Sequence, residues 1–192
     1  MTTDSVPPGG LLRKLLPADF AAYRDHLLRL DPHSRRSRFS GAVSDDFIRN
    51  YAALSRNLDA VIHGFFVDGT LRGVAELRPI GGRFAEEAEA ALSIEKPWQR
   101  HGVGAALLRR TLLSARNRRI RLLYMACLAE NQVMQRLARK FDAELKFDFG
   151  SVAAQVEAAQ PTAVWLMRES LADTIGFATA ILDVQARWLK PA

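Results

Sequence analysis

From Gln99 to Gly104 the chain reads Gln-Arg-His-Gly-Val-Gly, with two glycines two residues apart. A short, mostly apolar run from Ala90 to Ile94 precedes this stretch and has the length of a strand. Lys96-Pro97 ends the run, because proline brings no amide proton to a sheet ladder. From Val103 the apolar residues Val103, Ala106, Leu107, Leu108, Leu112 and Ala115 recur at helical spacing. The first N–H groups of a helix lack intrahelical partners, and the helix dipole is positive there. Glycine lets a ligand approach the backbone with no Cβ in the way. A strand, a glycine loop and a helix in this order can therefore cradle a phosphate or pyrophosphate. The loop lacks the Lys-Ser/Thr pair of a P-loop. It also has Leu107 where the third glycine of a dinucleotide fingerprint would stand. An ordinary glycine-containing turn fits the same six residues, so the flanking pattern has to decide. His101, inside the loop, suits a phosphate contact or plain exposure better than a base.

The remaining chemistry-bearing residues are carboxylates on apolar runs, Glu76, Glu89 and Glu95, and one cysteine, Cys127. A single cysteine makes no internal disulfide, which suits a reducing cytoplasm, and its apolar setting suits a small buried side chain. No His/Cys spacing suggests a metal. The 192 residues, 48% hydrophobic and 25% charged, suit one globular domain with a substantial core. No apolar run nears the roughly 20 residues that span a bilayer, so no membrane association is expected. Residues 1–10 have no apolar core of a signal peptide and read as a flexible tail. Net charge is +6, and seven arginines fall between Arg100 and Arg121. Such a surface can attract nucleic acid or a phosphorylated cofactor. No helix-turn-helix, zinc spacing or interleaved aromatics accompany it, so no nucleic-acid partner is expected.

Taken in order, Leu11–Leu16 reads as a strand, and Asp19 as the cap of a helix carrying Phe20, Tyr23, Leu27, Leu28 and Leu30. His33 to Gly41 reads as a basic loop. Ser44 caps a second helix with Phe47, Ile48, Tyr51 and Leu54. Ala60–Val67 and Thr70–Leu77 form a hairpin through Asp68-Gly69, with Gly73 marking a bulge or close approach. Ile120–Leu128 is a buried strand, followed by a helix carrying Val133, Met134, Leu137, Ala138 and Phe141. Ala143–Phe149 and Val152–Val156 pair across Gly150. A long helix from about Thr162 to Leu189 closes the chain, with an apolar stripe able to pack on the domain or in a homodimer.

With these elements in place, Gln99–Gly104 resembles the acyl-CoA pyrophosphate loop of the GNAT superfamily of N-acetyltransferases. Asn131, Met134 and Leu137 match the N-x-x-M-x-x-L pattern of the family's CoA-contacting helix. Asp31 to Phe39, and Ala88-Glu89 ten residues before Trp98-Gln99, are similar to the bacterial Pat-type protein lysine acetyltransferase branch. The resemblance covers about residues 11–160 and implies the GNAT acyl-CoA N-acyltransferase fold. That is a mixed α/β (α+β) architecture with a central sheet of six to seven strands flanked by helices, here with an extra C-terminal helix over 161–192. Two departures stand out. Lys140-Phe141-Asp142 replaces the usual Gly-Phe pair, and Ala138 and Phe141 occupy the region where many relatives carry the tyrosine that protonates the leaving thiolate.

The resemblance implies acetyl transfer from acetyl-CoA, with no metal, to a primary amine on a small molecule or a protein lysine. Leu92, Ser93 and Ile94 would lie along the thioester, with main-chain amides around Ser93 and Ile94 aimed at its oxygen. Gln99, Arg100, His101, Gly102, Val103, Gly104 and Ala105 would hold the diphosphate. Asn131 and Met134 would contact the pantetheine arm, although an asparagine after a strand is also an ordinary helix cap. An amine is mostly protonated at neutral pH, so a base is needed. Glu89 is the first candidate, Glu76 the second and Glu95 the third. Arg35, Arg36, Arg38 and Phe39 are expected near the acceptor. The missing tyrosine leaves open a second reading, an acyl-CoA-binding sensor or interaction module without turnover.

Overall fold

The sheet forms because seven short runs alternate or concentrate apolar residues at strand length. The computed structural model describes residues 10–56, 59–81, 84–148, 150–157, 167 and 169–179. Its strands are β1 (Leu11–Lys14), β2 (Val61–Val67), β3 (Thr70–Ile80), β4 (Glu87–Ile94), β5 (Leu122–Leu128), β6 (Glu144–Asp148) and β7 (Ser151–Glu157). They lie in the order β1-β2-β3-β4-β5-β7-β6. Every pairing is antiparallel except β4 with β5. The helices are α1 (Phe20–Arg29), α2 (Pro32–Phe39), α3 (Asp45–Ser55), α4 (Val103–Asn117) and α5 (Gln132–Arg139), with α6 over residues 169–179. This is the mixed α/β architecture that the sequence implied.

The pleat of the sheet allots side chains to two faces. Val61, Leu77, Ala88, Ala90, Leu123 and Met125 pack under α4 and α5, against Leu108, Leu112 and Ala138. Ile62, Phe66 and Val74 pack on the other face against Tyr23, Leu27, Ile48 and Ala52 of α1 and α3. The Asp68-Gly69 hairpin has both residues at positive φ, as a two-residue turn with matching twist requires. The bulge anticipated at Gly73 is present: Phe65 faces Gly73 while Phe66 faces Leu71.

Three local expectations change. The segment after Asp31 is helical rather than a loop. Asp31 accepts the N–H groups of His33 and Ser34, and Pro32 stands in the first turn, so capping chemistry makes a helix with no apolar stripe. Asp19 does not cap α1, since its carboxylate takes Arg13 and the Leu16 N–H. The closing helix turns a polar face inward. Glu169 accepts from Ser114, Asn117 and Arg118 of α4 and its end, Asp173 pairs with Arg110, and Gly176 lies against Arg13. Leu171 and Ile175 of the expected apolar stripe are exposed. Residues 161–166 and 180–192 of that expected helix, the tail 1–9, and Phe149 of the expected strand lie outside the described residues.

A buried ion cluster fastens α2 and α3 to β3. Glu76 is 0% exposed and accepts from Arg38 at 2.5 Å, from Tyr51 at 2.8 Å and from Arg78 at 2.6 Å. Burial alone would raise its pKa, but the two guanidinium groups outweigh that and hold the carboxyl down at about 2. A depressed folded-state pKa stabilises the protein fully above the ordinary carboxyl range, and this contribution is lost as the pH falls toward that value. Glu76→Gln should cost about 3–5 kcal/mol, as expected for a broken buried pair. It should also flatten the acid limb of stability between about pH 4.5 and 2; urea melts across that window measure both.

Candidate active site

Two neighbouring strands part company to make the site. β4 and β5 pair over only three positions, Glu87 with Leu122, Ala88 with Leu123 and Glu89 with Tyr124. Beyond that point β4 stays with β3 as far as Ile94 opposite Gly73, and β5 stays with β7 as far as Leu128 opposite Ser151. The gap between them opens into a cavity of about 480 Å³. A smaller one of about 250 Å³ shares Ser37, Arg38, Leu92, Asn131 and Met134 with it.

The larger cavity is walled by Leu92, Ser93 and Ile94 of β4, by Gln99, Arg100, Gly102, Gly104 and Ala105, and by Asn131 and Met134. All ten were singled out by the sequence. His101 and Val103, also expected there, do not line it. His101 is exposed on the turn, and the Val103 side chain is buried against Phe65 and Leu107. The loop winds through positive φ at Arg100 and Gly102, and Gly102 caps α4. The first amides of α4 thus start at the cavity wall, with Ala106 the first to reach back, to the Gly102 carbonyl. A Cβ on Gly104 would stand 3.2 Å from Ile94 Cδ1 and 3.4 Å from Leu137 Cδ2, so glycine keeps the floor open there. Gln99 donates to Ser34 Oγ at 3.0 Å and to the Ile94 carbonyl at 2.9 Å, pinning the loop to α2.

Leu137 and Arg38, already named from the sequence, share the rest of the wall with residues that were not assigned to it. Arg136 and Lys140 add cationic charge beside Arg100, and Val133 and Leu137 add apolar surface. Both pairs are spaced four residues apart along α5 and its C-terminal cap Lys140, a periodicity that marks two adjoining stripes of one helix. His33, Ser34, Ser37 and Arg38 come from α2. The donor set, unpaired helix amides plus three cations beside a channel partly lined by apolar side chains, fits a phosphorylated nucleotide carrying a long apolar-and-amide arm.

The carboxylates separate by environment. Glu89 is exposed and lines the smaller cavity with Phe39, Tyr51, Arg78 and Cys127. Glu76, the second base candidate, lines neither cavity, and its carboxylate oxygens are taken by Arg38, Arg78 and Tyr51. A carboxylate so held is a poor proton acceptor and has no route to a substrate, so the geometry removes it from that role. Glu95, the third, is buried with Arg29, Arg72 and His26 as partners and is likewise held down to about 2. Its neighbour His26 is fully buried, and burial lowers its pKa. His26 Nε2 lies 3.0 Å from Ser93 Oγ. Of the arginines expected near the acceptor, Arg38 lines the smaller cavity beside Phe39. Arg35 is paired with Asp45 and Arg36 with Glu130. Cys127 is buried, and desolvation raises its thiol pKa, as expected of a packing residue. No helix among the described residues is long and apolar enough to cross a membrane.

Comparison with known proteins agrees with this geometry. None of the curated proteins compared with the chain matches it. Among solved structures it is similar to the GNAT domain of S. lividans PAT, at 22% identity and a TM-score of 0.66 over 76% of this chain and 89% of that one. It is also similar to the PaiA N-acetyltransferase of Thermoplasma acidophilum in complex with coenzyme A, at 20% identity and a TM-score of 0.58 over 77% and 98%. A third likeness is yncA of Salmonella typhimurium, solved with acetyl-CoA, at 17% identity and a TM-score of 0.57 over 81% and 97%. These likenesses concern the fold. The model of the acetyltransferase (GNAT) family matches residues 24–143, which span the parted strands, the glycine loop and α5, and the chain belongs to that family.

Proposed function

We propose that the protein transfers an acetyl group from acetyl-CoA to a primary amine, on a small molecule or a protein lysine. The observation that carries this reading is the parting of β4 and β5 after Glu89 beside a cavity that the end of β4 and the amide-rich start of α4 line together. The diphosphate would lie on Gly102 to Ala105, with Arg100, Arg136 and Lys140 around it. The pantetheine arm would run between Leu92–Ile94 and Met134. The Asn131 Oδ1 caps α5 through the Met134 N–H, leaving its NH2 group for the arm. Complexes of similar folds with CoA and acetyl-CoA support this assignment.

The thioester would then sit near the junction of the two cavities, and the amine would arrive from the smaller one. Glu89 is the carboxylate exposed in that smaller cavity, and we assign it the removal of the first proton from an arriving ammonium. Arg38 and Arg78 also line that cavity, with their guanidinium groups over the Phe39 and Tyr51 rings, so an acceptor that carries a carboxylate or lies in an acidic patch beside its amine would suit it. The likeness to the PAT domain makes a protein lysine one acceptor worth testing first.

Release of free thiol from acetyl-CoA, assayed with a panel of primary amines and lysine peptides, tests the reading. Acetyl-CoA binding with no acceptor-dependent thiol would favour the sensor alternative. Gly104→Val should weaken CoA binding by on the order of tenfold or more by filling the cleft between Ile94 and Leu137, which calorimetry reads directly. Glu89→Gln should lower kcat on the order of 100-fold near neutral pH and lose less in alkali, where the amine arrives neutral. Unchanged rates from about pH 6 to 9 would remove Glu89 from this role.

A further inference from the structure

The attacking amine has two protons to lose, and the departing thiolate needs one. Glu89 accounts for the first. The sequence lacks the α5 tyrosine that would supply the second transfer. The tyrosine lining the cavities, Tyr51, donates its hydroxyl to Glu76. Ser34 is tied to Asp31, which it helps to cap α2.

Ser93 is differently placed. It lines the larger cavity, and it shares a face of β4 with Glu89, four residues or about 13 Å along the strand. Its Oγ is 3.0 Å from His26 Nε2, and His26 Nδ1 is 3.3 Å from Glu95 Oε1. Arg29 and Arg72 hold Glu95 in place at 2.9 Å each. Glu95 is ionised and can only accept, so Nδ1 of His26 carries the hydrogen. Burial keeps the ring neutral, which leaves Nε2 bare to accept the Ser93 hydroxyl proton. A hydroxyl on the cavity wall thus has a base and an oriented carboxylate buried in series behind it.

We propose that Ser93, His26 and Glu95 form a relay that carries the second amine proton to the leaving sulfur. This rests on the acetyl-transfer reading above. As the neutral amine nitrogen bonds to the thioester carbon, its N–H proton passes to Ser93 Oγ. The Ser93 proton moves at the same time to His26 Nε2. The imidazolium so formed lies against the Glu95 carboxylate. When the carbon–sulfur bond breaks, its electron pair stays on sulfur, and the proton returns from His26 through Ser93 to that sulfur. An amide and a free thiol leave, and the relay ends as it began. Ser93 is the catalytic residue of the set. His26 and Glu95 act through it.

The experiment compares wild type, Ser93→Ala, Ser93→Thr, His26→Gln and the double variant Ser93→Ala/His26→Gln, with acetyl-CoA and the best acceptor from the amine panel. Thermal melts and calorimetry with acetyl-CoA accompany the kinetics. Ser93→Ala and His26→Gln should each lower kcat on the order of 100-fold, with acetyl-CoA affinity within about twofold of wild type. Ser93→Thr should recover most of the loss, and the double variant should lose no more than either single change, because the groups work as one unit. Full activity in Ser93→Ala, or multiplied losses in the double variant, would overturn the relay and leave the transferase reading standing. Acetyl-Ser93 found by mass spectrometry without acceptor would replace the relay with a covalent route. A wild type that binds acetyl-CoA but acetylates no amine would overturn the transferase reading and the relay with it.

Discussion

The site exists because one parallel ladder stops early. Parallel pairing of β4 and β5 is the single exception in an otherwise antiparallel sheet, and it lasts three residue pairs. Each strand then follows its outer neighbour, β4 along β3 and β5 along β7, and both have long ladders with those neighbours. The parting exposes inner-edge backbone on both strands near the middle of the sheet. Buried backbone donors and acceptors must find partners, so such a gap is a standing demand for a ligand or water with amide-like groups. The pantetheine arm of CoA has that character, which is why an interrupted ladder and a glycine-led helix make sense together.

Apolar packing holds the helices on both faces of the sheet, and on the face of α1, α2 and α3 buried charge adds to it. Glu76 binds α2 and α3 to β3 through Arg38, Arg78 and Tyr51. Glu95 binds α1 to the end of β4 through Arg29 and His26. Both carboxylates are buried, and each faces more than one cation, so removing a partner would strand uncompensated charge in a poorly solvated place. The arginine excess of the chain is thus partly structural. Arg35, Arg36, Arg38, Arg78, Arg110 and Arg118 all meet carboxylates.

Much of the fold was legible in the sequence, for identifiable reasons. Strand β2, its Asp68-Gly69 turn and β3 follow from alternating apolar residues and turn chemistry that permits few alternatives. The α4 stripe, Val103 to Ala115, has the helical period and sits after a glycine loop. Helix α2 was not legible as a helix, because Asp31 and Pro32 start it by capping alone, and its eight residues show no apolar face. The inward face of α6 was misread for the opposite reason. Its stripe is apolar, but α4 presents Ser114, Arg110 and Arg118, so Glu169 and Asp173 turn inward to meet them.

The site divides along the same line. Residues that act through backbone or small size, such as Gly102, Gly104 and the end of β4, announce themselves by local pattern. Those that act through a distant partner do not. Glu76 and Glu89 look alike in sequence, as acids on neighbouring strands. One faces Arg38 from a helix 38 residues earlier, and the other faces the smaller cavity. His26 is hidden more thoroughly. On α1 it sits beside Tyr23 and Leu27 as a polar intrusion on an apolar face, and nothing nearby in sequence explains it. Its partners, Ser93 and Glu95, lie 67 and 69 residues away. They are two residues apart, Ser93 on β4 and Glu95 just past its end in extended backbone, and that alternation is what lets one helix residue meet both on a single face.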